Sequence, residues 1–261
     1  MATVYLTHGG GPLPLLGDPG HRALVASLRE LASALPRPRA IVLVSAHWET
    51  AQPCLTGAAN PSLMYDYYGF PEPAYSLRYP ASGEPVLAER LASALTDAGM
   101  PTTVDPQRGF DHGMFVPLTL LYPDASVPVV QLSLMHSLDP AAHLAMGRAL
   151  APLLGDDVML IGSGSSFHNM PVLMGRGDEA GLQANRQFEQ WLASTCTDPT
   201  LSAAQREAAL VDWRRAPGGA VSHPREEHLM PLMVCAGAAG RPADRIFQGA
   251  MGAVQVSSLL W

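Results

Sequence analysis

The chain has 261 residues, 48% of them hydrophobic and 15% charged, with 16 Lys+Arg against 23 Asp+Glu and a formal net charge of -7. That composition supplies a large core and gives no electrostatic reason to bind nucleic acid or an anionic membrane surface. Cys54, Cys196 and Cys235 are far apart and form no CxxC, which argues against a disulfide framework or a thiolate zinc site and predicts reduced, mostly buried thiols.

In chain order, a strand over residues 3–7 runs into the turn-rich His8-Gly9-Gly10-Gly11-Pro12. A helix follows over 21–35, with Leu24, Leu28, Leu31 and Leu35 on one face, and Pro36 and Pro38 stop it. A second strand begins at Ala40 and ends at His47. Residues 51–83 are rich in Pro, Gly and Tyr and include Tyr65-Asp66-Tyr67-Tyr68-Gly69-Phe70-Pro71. So long a loop predicts a pocket wall or lid, with Trp48 and the 65–70 cluster as candidate ring-site walls.

A helix over 84–98, a short strand over 102–104 and a turn at Gly109-Phe110-Asp111-His112-Gly113 come next, ahead of an apolar stretch over 114–122. The pattern then predicts a strand over 127–134, a helix over 140–154, a strand from Val158 to near Gly162 and a Gly/Ser-rich loop to Asn169. Helices over 178–195, 203–212 and 224–239 and a strand over 253–259 complete the chain. Strands alternating with helices predict a three-layer αβα sandwich around a mixed, largely parallel sheet, one domain over 1–261. No apolar run approaches the roughly 20 residues of a membrane helix, and no basic region leads into one at the N-terminus. A cytoplasmic location is expected.

Three apolar strand-like runs lead to a histidine: Val4-Tyr5-Leu6-Thr7-His8, Ile41-Val42-Leu43-Val44-Ser45-Ala46-His47, and Val158-Met159-Leu160-Ile161-Gly162 through Ser163 to His168. Ligands gather beyond the carboxyl ends of strands in open α/β sheets, so these imidazoles are candidates for one metal site. His228 falls in Pro224-Arg225-Glu226-Glu227-His228, read as the opening turns of a helix, whose positive dipole end disfavours imidazolium and keeps a neutral ligand. His168 suits a fourth ligand or a proton-transfer group. His112 sits on a turn beside Asp111. His136 also follows an apolar strand, and His21, His143 and His223 read as solvated positions.

His8-Gly9-Gly10, Ser45-Ala46-His47-Trp48, Gly109-Phe110-Asp111-His112-Gly113, Phe167-His168-Asn169 and Glu227-His228-Leu229-Met230-Pro231-Leu232 occur in that order. The series resembles the class III extradiol ring-cleavage dioxygenases of the LigB-type superfamily, most closely the 4,5-DOPA extradiol dioxygenase branch. Gly69-Phe70-Pro71 and Val130-Gln131-Leu132-Ser133 also look like that branch, and the resemblance runs from residue 3 to the last strand. It implies a non-haem Fe(II) enzyme that uses O2 to open a catechol ring beside its two hydroxyls, giving a muconic semialdehyde. Carried over by motif, His8, His47 and His228 hold the metal, His168 is the acid/base group and His112 a second pocket histidine; with Zn(II) bound, His168 completes a four-histidine site.

Two departures stand out. Where protocatechuate-cleaving relatives look to supply a carboxylate as third ligand, the matching position is His228; Glu226 and Glu227 are close enough in sequence to compete for that role, though neither fits the motif. The first loop has Gly9-Gly10-Gly11-Pro12 where this branch commonly has a serine after the first glycine. No Arg or Lys stands beside a motif histidine, so L-DOPA as substrate is implied by the branch alone. The expected partner is a small catechol, with no nucleic acid or membrane and with the oligomer, monomer or homodimer, left open. A zinc hydrolase on the same three histidines and a non-enzymatic binding protein of the same fold are the rival readings.

Overall fold

The computed structural model describes residues 2–155 and 157–261. In chain order its elements are β1 (Thr3–Thr7), α1 (Arg22–Ala34), β2 (Ala40–Thr50), β3 (Cys54–Thr56), α2 (Pro85–Asp97), β4 (Thr103–Asp105), α3 (His112–Leu121), β5 (Val129–Met135) and α4 (Pro140–Leu154). There follow β6 (Val158–Gly164), α5 (Met170–Leu173), α6 (Glu179–Thr197), α7 (Ala203–Val211), α8 (Gly219–Ser222), α9 (Met230–Ala239), β7 (Arg245–Met251) and β8 (Val254–Leu260).

The strands form one eight-stranded sheet in the order β4-β3-β5-β2-β6-β1-β8-β7. Its centre, β5-β2-β6-β1, is parallel, while β8 and β7 extend it antiparallel on one side and β3 joins β5 antiparallel on the other. This is the mixed, largely parallel sheet that the alternation predicts. The strands are apolar on both faces because each face carries helices. Val42 and Val44 of β2 and Val158 and Leu160 of β6 face one core, with helices α2, α4 and α9; Ile41, Leu43, Met159 and Ile161 face the other, with α1 and α3.

Packing is closest where glycine removes a side chain. A Cβ at Gly147 of α4 would stand 2.0 Å from the Val234 carbonyl oxygen of α9, and one at Gly237 would stand 2.1 Å from that of Leu144. The two helices therefore meet backbone to backbone. Cys54, Cys196 and Cys235 are buried and unpaired. Among the described residues, no helix is long and apolar enough to cross a membrane.

Several elements depart from the sequence reading: α3 begins at His112 where a turn is expected, α5 and α8 are not anticipated, and β2 runs on to Thr50. The 51–83 segment carries the short strand β3, and a further edge strand, β7, pairs along all seven residues with β8. The last helix begins at Met230 instead of Pro224, because residues 224–229 turn to cross the tip of β6. The acids that read as a helix start pair with other side chains there, Glu226 with Arg214 and Glu227 with His168 and His228.

Candidate metal centre and active site

The register of the central strands levels their carboxyl ends: Thr7 lies opposite Gly164, and Ser45 opposite Ser163. His8 follows β1 directly, its N–H donating to the Gly164 carbonyl at 3.0 Å. His47 lies inside β2 rather than beyond it; the pairing of β2 with β5 shifts register between Val44 and Glu49. Such an irregularity re-aims side chains beside it. His168 comes from the loop after β6, and its N–H donates to the Ser222 carbonyl at 2.9 Å.

His228 arrives from the other end of the chain. Its backbone passes so close over β6 that a Cβ on Gly164 would lie 2.1 Å from its carbonyl oxygen. That oxygen accepts from the Ser165 N–H and the Tyr5 hydroxyl, each at 3.0 Å. His228 precedes α9 and gains nothing from a first-turn dipole, contrary to the sequence reading. Burial keeps it neutral instead: it pushes the His228 pKa down to about 4, with repulsion from His168 adding and Glu227 opposing. His8 and His47 are likewise held well below the usual histidine range, by burial first and then by the neighbouring imidazoles.

The rings of His8, His47 and His228 form a nearly equilateral triangle, with centroids 4.9, 5.3 and 5.0 Å apart. His112, the first residue of α3, lies beside them at 3.9 Å from His47 and 5.5 Å from His8. His168 stacks on His228 at 3.4 Å. Grouped by ligand atoms, His8, His47 and His112 lie within 4.8 Å of one another, as do His168, Glu227 and His228. The fold thus brings all five motif histidines to one place.

Hydrogen bonds set which nitrogens are free. The Ser163 hydroxyl donates to the Gly113 carbonyl, so it accepts from His8 Nδ1–H at 2.9 Å, leaving a lone pair on His8 Nε2. That nitrogen faces His47 Nε2 at 3.1 Å, while His47 Nδ1 looks toward Asp66 Oδ2 at 3.9 Å. Two nitrogens so spaced match two ligands, each about 2.0–2.1 Å from one metal ion. Glu227 Oε1 accepts from both His228 Nδ1, at 2.9 Å, and His168 Nδ1, at 3.0 Å, leaving Nε2 of each ring free. The donor set therefore fits a divalent ion: neutral imidazoles, oriented by outer hydrogen bonds.

Asp66, Ser163 and Glu227 are the site residues that sequence reasoning did not assign. Asp66 Oδ1 accepts both the backbone N–H and Nδ1–H of His112, each at 2.9 Å. Those bonds hold its carboxyl below the usual range even though burial pushes the other way. The aromatic cluster around it in the long loop is the signal that could have found it. Glu227 is held well below the carboxylate range by His168 and His228 against its own burial, and the Arg225 guanidinium lies 3.3 Å from its other oxygen. Glu226 instead pairs with Arg214. Asp111, the sequence neighbour of His112, is buried and bonds Ser45, Gln131 and Arg108. Burial, reinforced by Asp66, raises its pKa.

The remaining histidines correct the expectation of solvated positions. His21, His143 and His223 are buried. His21 Nδ1 bonds Asp18 at 2.7 Å and its Nε2 accepts from the Gly10 N–H at 3.0 Å, which fixes the glycine loop. His143 bridges the Asp139 carbonyl and the Met135 N–H, and His223 donates to the Ser166 carbonyl at 2.9 Å between Phe188 and Trp213. His136 stays exposed beside Glu49 and away from the centre. Trp48 is buried beneath Arg108, outside the cavity wall, whereas Tyr67, Tyr68 and Phe70 belong to it.

Burial pushes His223 down to about 3, whereas an unfolded histidine titrates near 6.5. Between those values the unfolded chain binds a proton that the folded chain refuses, so stability falls as pH drops from 6.5 toward 3, by about 1.4 kcal/mol per unit. Urea unfolding between pH 7 and pH 4 is expected to show this slope, and His223→Gln to reduce it. Parallel slopes for the two proteins would refute the assignment.

All five motif histidines line one cavity of about 630 Å³. Such a pocket, with a polyhistidine centre under a largely apolar wall, has room for a metal ion beside a small apolar ligand. A family model described as the catalytic LigB subunit of aromatic ring-opening dioxygenase matches residues 6–255, and the chain belongs to that family. It is 45% identical over 253 residues to dioxygenase tasH of Hapsidospora irregularis, covering 90% of this chain and 77% of the relative. It is 37% identical to a 4,5-DOPA dioxygenase extradiol of Escherichia coli K12, covering 91% and 85%. A crystal structure of an uncharacterized protein from Escherichia coli K12 superposes with a TM-score of 0.75 at 33% identity, covering 100% of this chain and 99% of that one.

Proposed function

We propose that the protein is a non-haem Fe(II) extradiol dioxygenase that opens a catechol ring with O2 and yields a muconic semialdehyde, retaining both oxygen atoms. The observation that carries this reading is the triangle of neutral imidazoles, His8, His47 and His228, with their outer nitrogens turned toward Ser163, Asp66 and Glu227. Those three hold the metal. Zinc would suit the same donors, with His168 as a fourth. The relatives' names add support for ring-opening chemistry on a dihydroxylated aromatic.

Iron held by His8, His47 and His228 would supply Lewis-acid and redox chemistry. Three neutral imidazoles contribute no negative charge, so the residues favour an anionic bidentate ligand, which a catecholate is. His168 Nε2 takes the second hydroxyl proton, because Glu227 already occupies its Nδ1–H. The same nitrogen returns a proton as general acid when the ring opens. His112 Nε2, left free by the bond from Nδ1 to Asp66, accepts a hydrogen bond from a protonated substrate hydroxyl. Tyr67 and Phe70 shield the ring from water.

The test is anaerobic loading with Fe(II), followed by addition of catechol and air-saturated buffer. One O2 consumed per ring opened, with the yellow ring-fission chromophore rising in step, is the expected result. Turnover that proceeds without oxygen in the zinc-loaded protein would replace this reading with a hydrolase.

A further inference from the structure

We propose that the preferred substrate is a catechol whose ring substituent is apolar and uncharged, not one bearing a carboxylate; this rests on the ring-opening function proposed above. The cavity's about 630 Å³ lies within the roughly 300–1,000 Å³ of sites that enclose a drug-sized ligand, so a bare catechol leaves much of it unfilled. Apart from the histidines and backbone glycines, the wall includes Leu13, Phe70, Met170, Leu173, Met174 and Met251. Met170 and Met174 are exposed, and thioether side chains of that kind adapt to apolar groups of varied shape.

Charge points the same way. The chain contains no lysine, and none of its 16 arginines lines the cavity. The carboxylates in the wall are Asp18 and Asp66, already bonded to His21 and His112. A substrate carboxylate would enter with no guanidinium or ammonium to receive it, near two negative groups, and would lose its hydration uncompensated. Arg225 lines an adjoining pocket with His47 and His228, where it is paired with Glu49 and Glu227. Arg176 touches the cavity wall through its Nη2, 2.8 Å from the Met174 sulfur. Arg176 is exposed and occupied at the sulfur, outside the lining, and the proposal gives it no part in recognition.

The probes are catechol, 4-methylcatechol, 4-ethylcatechol, 4-butylcatechol, 3,4-dihydroxyphenylacetate and L-DOPA. Binding is measured calorimetrically on zinc-loaded protein, and kcat/KM by oxygen uptake on the iron-loaded enzyme. Affinity should rise about threefold to fourfold per added methylene, the fold-change of about 0.8 kcal/mol per buried CH2. 4-Butylcatechol should exceed both carboxylated probes at least tenfold (about 1.4 kcal/mol). Arg176→Ala should leave that order unchanged, and Met174→Arg should narrow it by favouring the carboxylates.

Carboxylated probes that bind as well as 4-butylcatechol, or an order that collapses in Arg176→Ala, would overturn the proposal. An absence of oxygen uptake with every probe would sink the dioxygenase reading instead, while the binding order still decides the ligand class.

Discussion

Replacing His8 with alanine is expected to strip the protein of iron and abolish oxygen uptake. His8 presents a lone pair on Nε2 because Ser163 fixes its Nδ1 proton, and it faces His47 Nε2 at 3.1 Å. Removing it deletes a ligand atom and leaves one vertex of the triangle open. Loss of an outer partner alone commonly costs about 10–100-fold in metal affinity, so deletion of a ligand should exceed a hundredfold. Metal content after gel filtration, read alongside His47→Ala, His228→Ala and His112→Ala, decides the ligand set.

The first three variants should emerge with metal near background, and His112→Ala with metal retained. His112 competes for the third position because its ring is 3.9 Å from that of His47. Its Nδ1 is committed to Asp66, as that of His228 is to Glu227, so outer bonds alone do not separate them. The ligand atoms of His8, His47 and His112 lie within 4.8 Å of one another, so the proposal of His228 rests on the motif series and is what these variants test. Iron lost from His112→Ala and kept by His228→Ala would exchange their roles.

The second large effect is at His168. His168→Ala should keep its iron and lose at least about a hundredfold in kcat, the scale of general acid–base catalysis. Glu227→Gln probes the same step from behind. The carboxylate oxygen anchors His168 and His228 together, and an uncharged amide cannot give either ring a charge-assisted hydrogen bond. A loss of about 10–100-fold in turnover or iron affinity is expected, as for other outer partners of metal ligands. Single-turnover product formation, with metal content measured on the same samples, separates the two causes. Wild-type turnover in His168→Ala would remove that side chain from the reaction.

The chain's local patterns determined a good deal. Alternating apolar runs and helical periodicities give a layered α/β sheet, because strands buried on both faces must be apolar throughout and helices that cover them must be amphipathic. Helix α4 begins at Pro140 and ends at Leu154 as its pattern predicts, since Asp139 caps it and Gly155 follows it. The motif histidines at 8, 47 and 168 could be placed near strand ends for the same reason.

Tertiary structure decided the rest, through contacts between residues far apart in sequence. Only the level register of β1, β6 and β2 makes three strand tips one site, and only the missing side chain at Gly164 lets His228 cross them. Asp66 reaches His112 across 46 residues from a loop with no period to read, and His223 is buried by Phe188 and Trp213 despite polar sequence neighbours. Burial, hydrogen-bond partner and hence protonation state belong to the packed chain. Local sequence records which side chains are available and leaves the partner of each to be settled by folding.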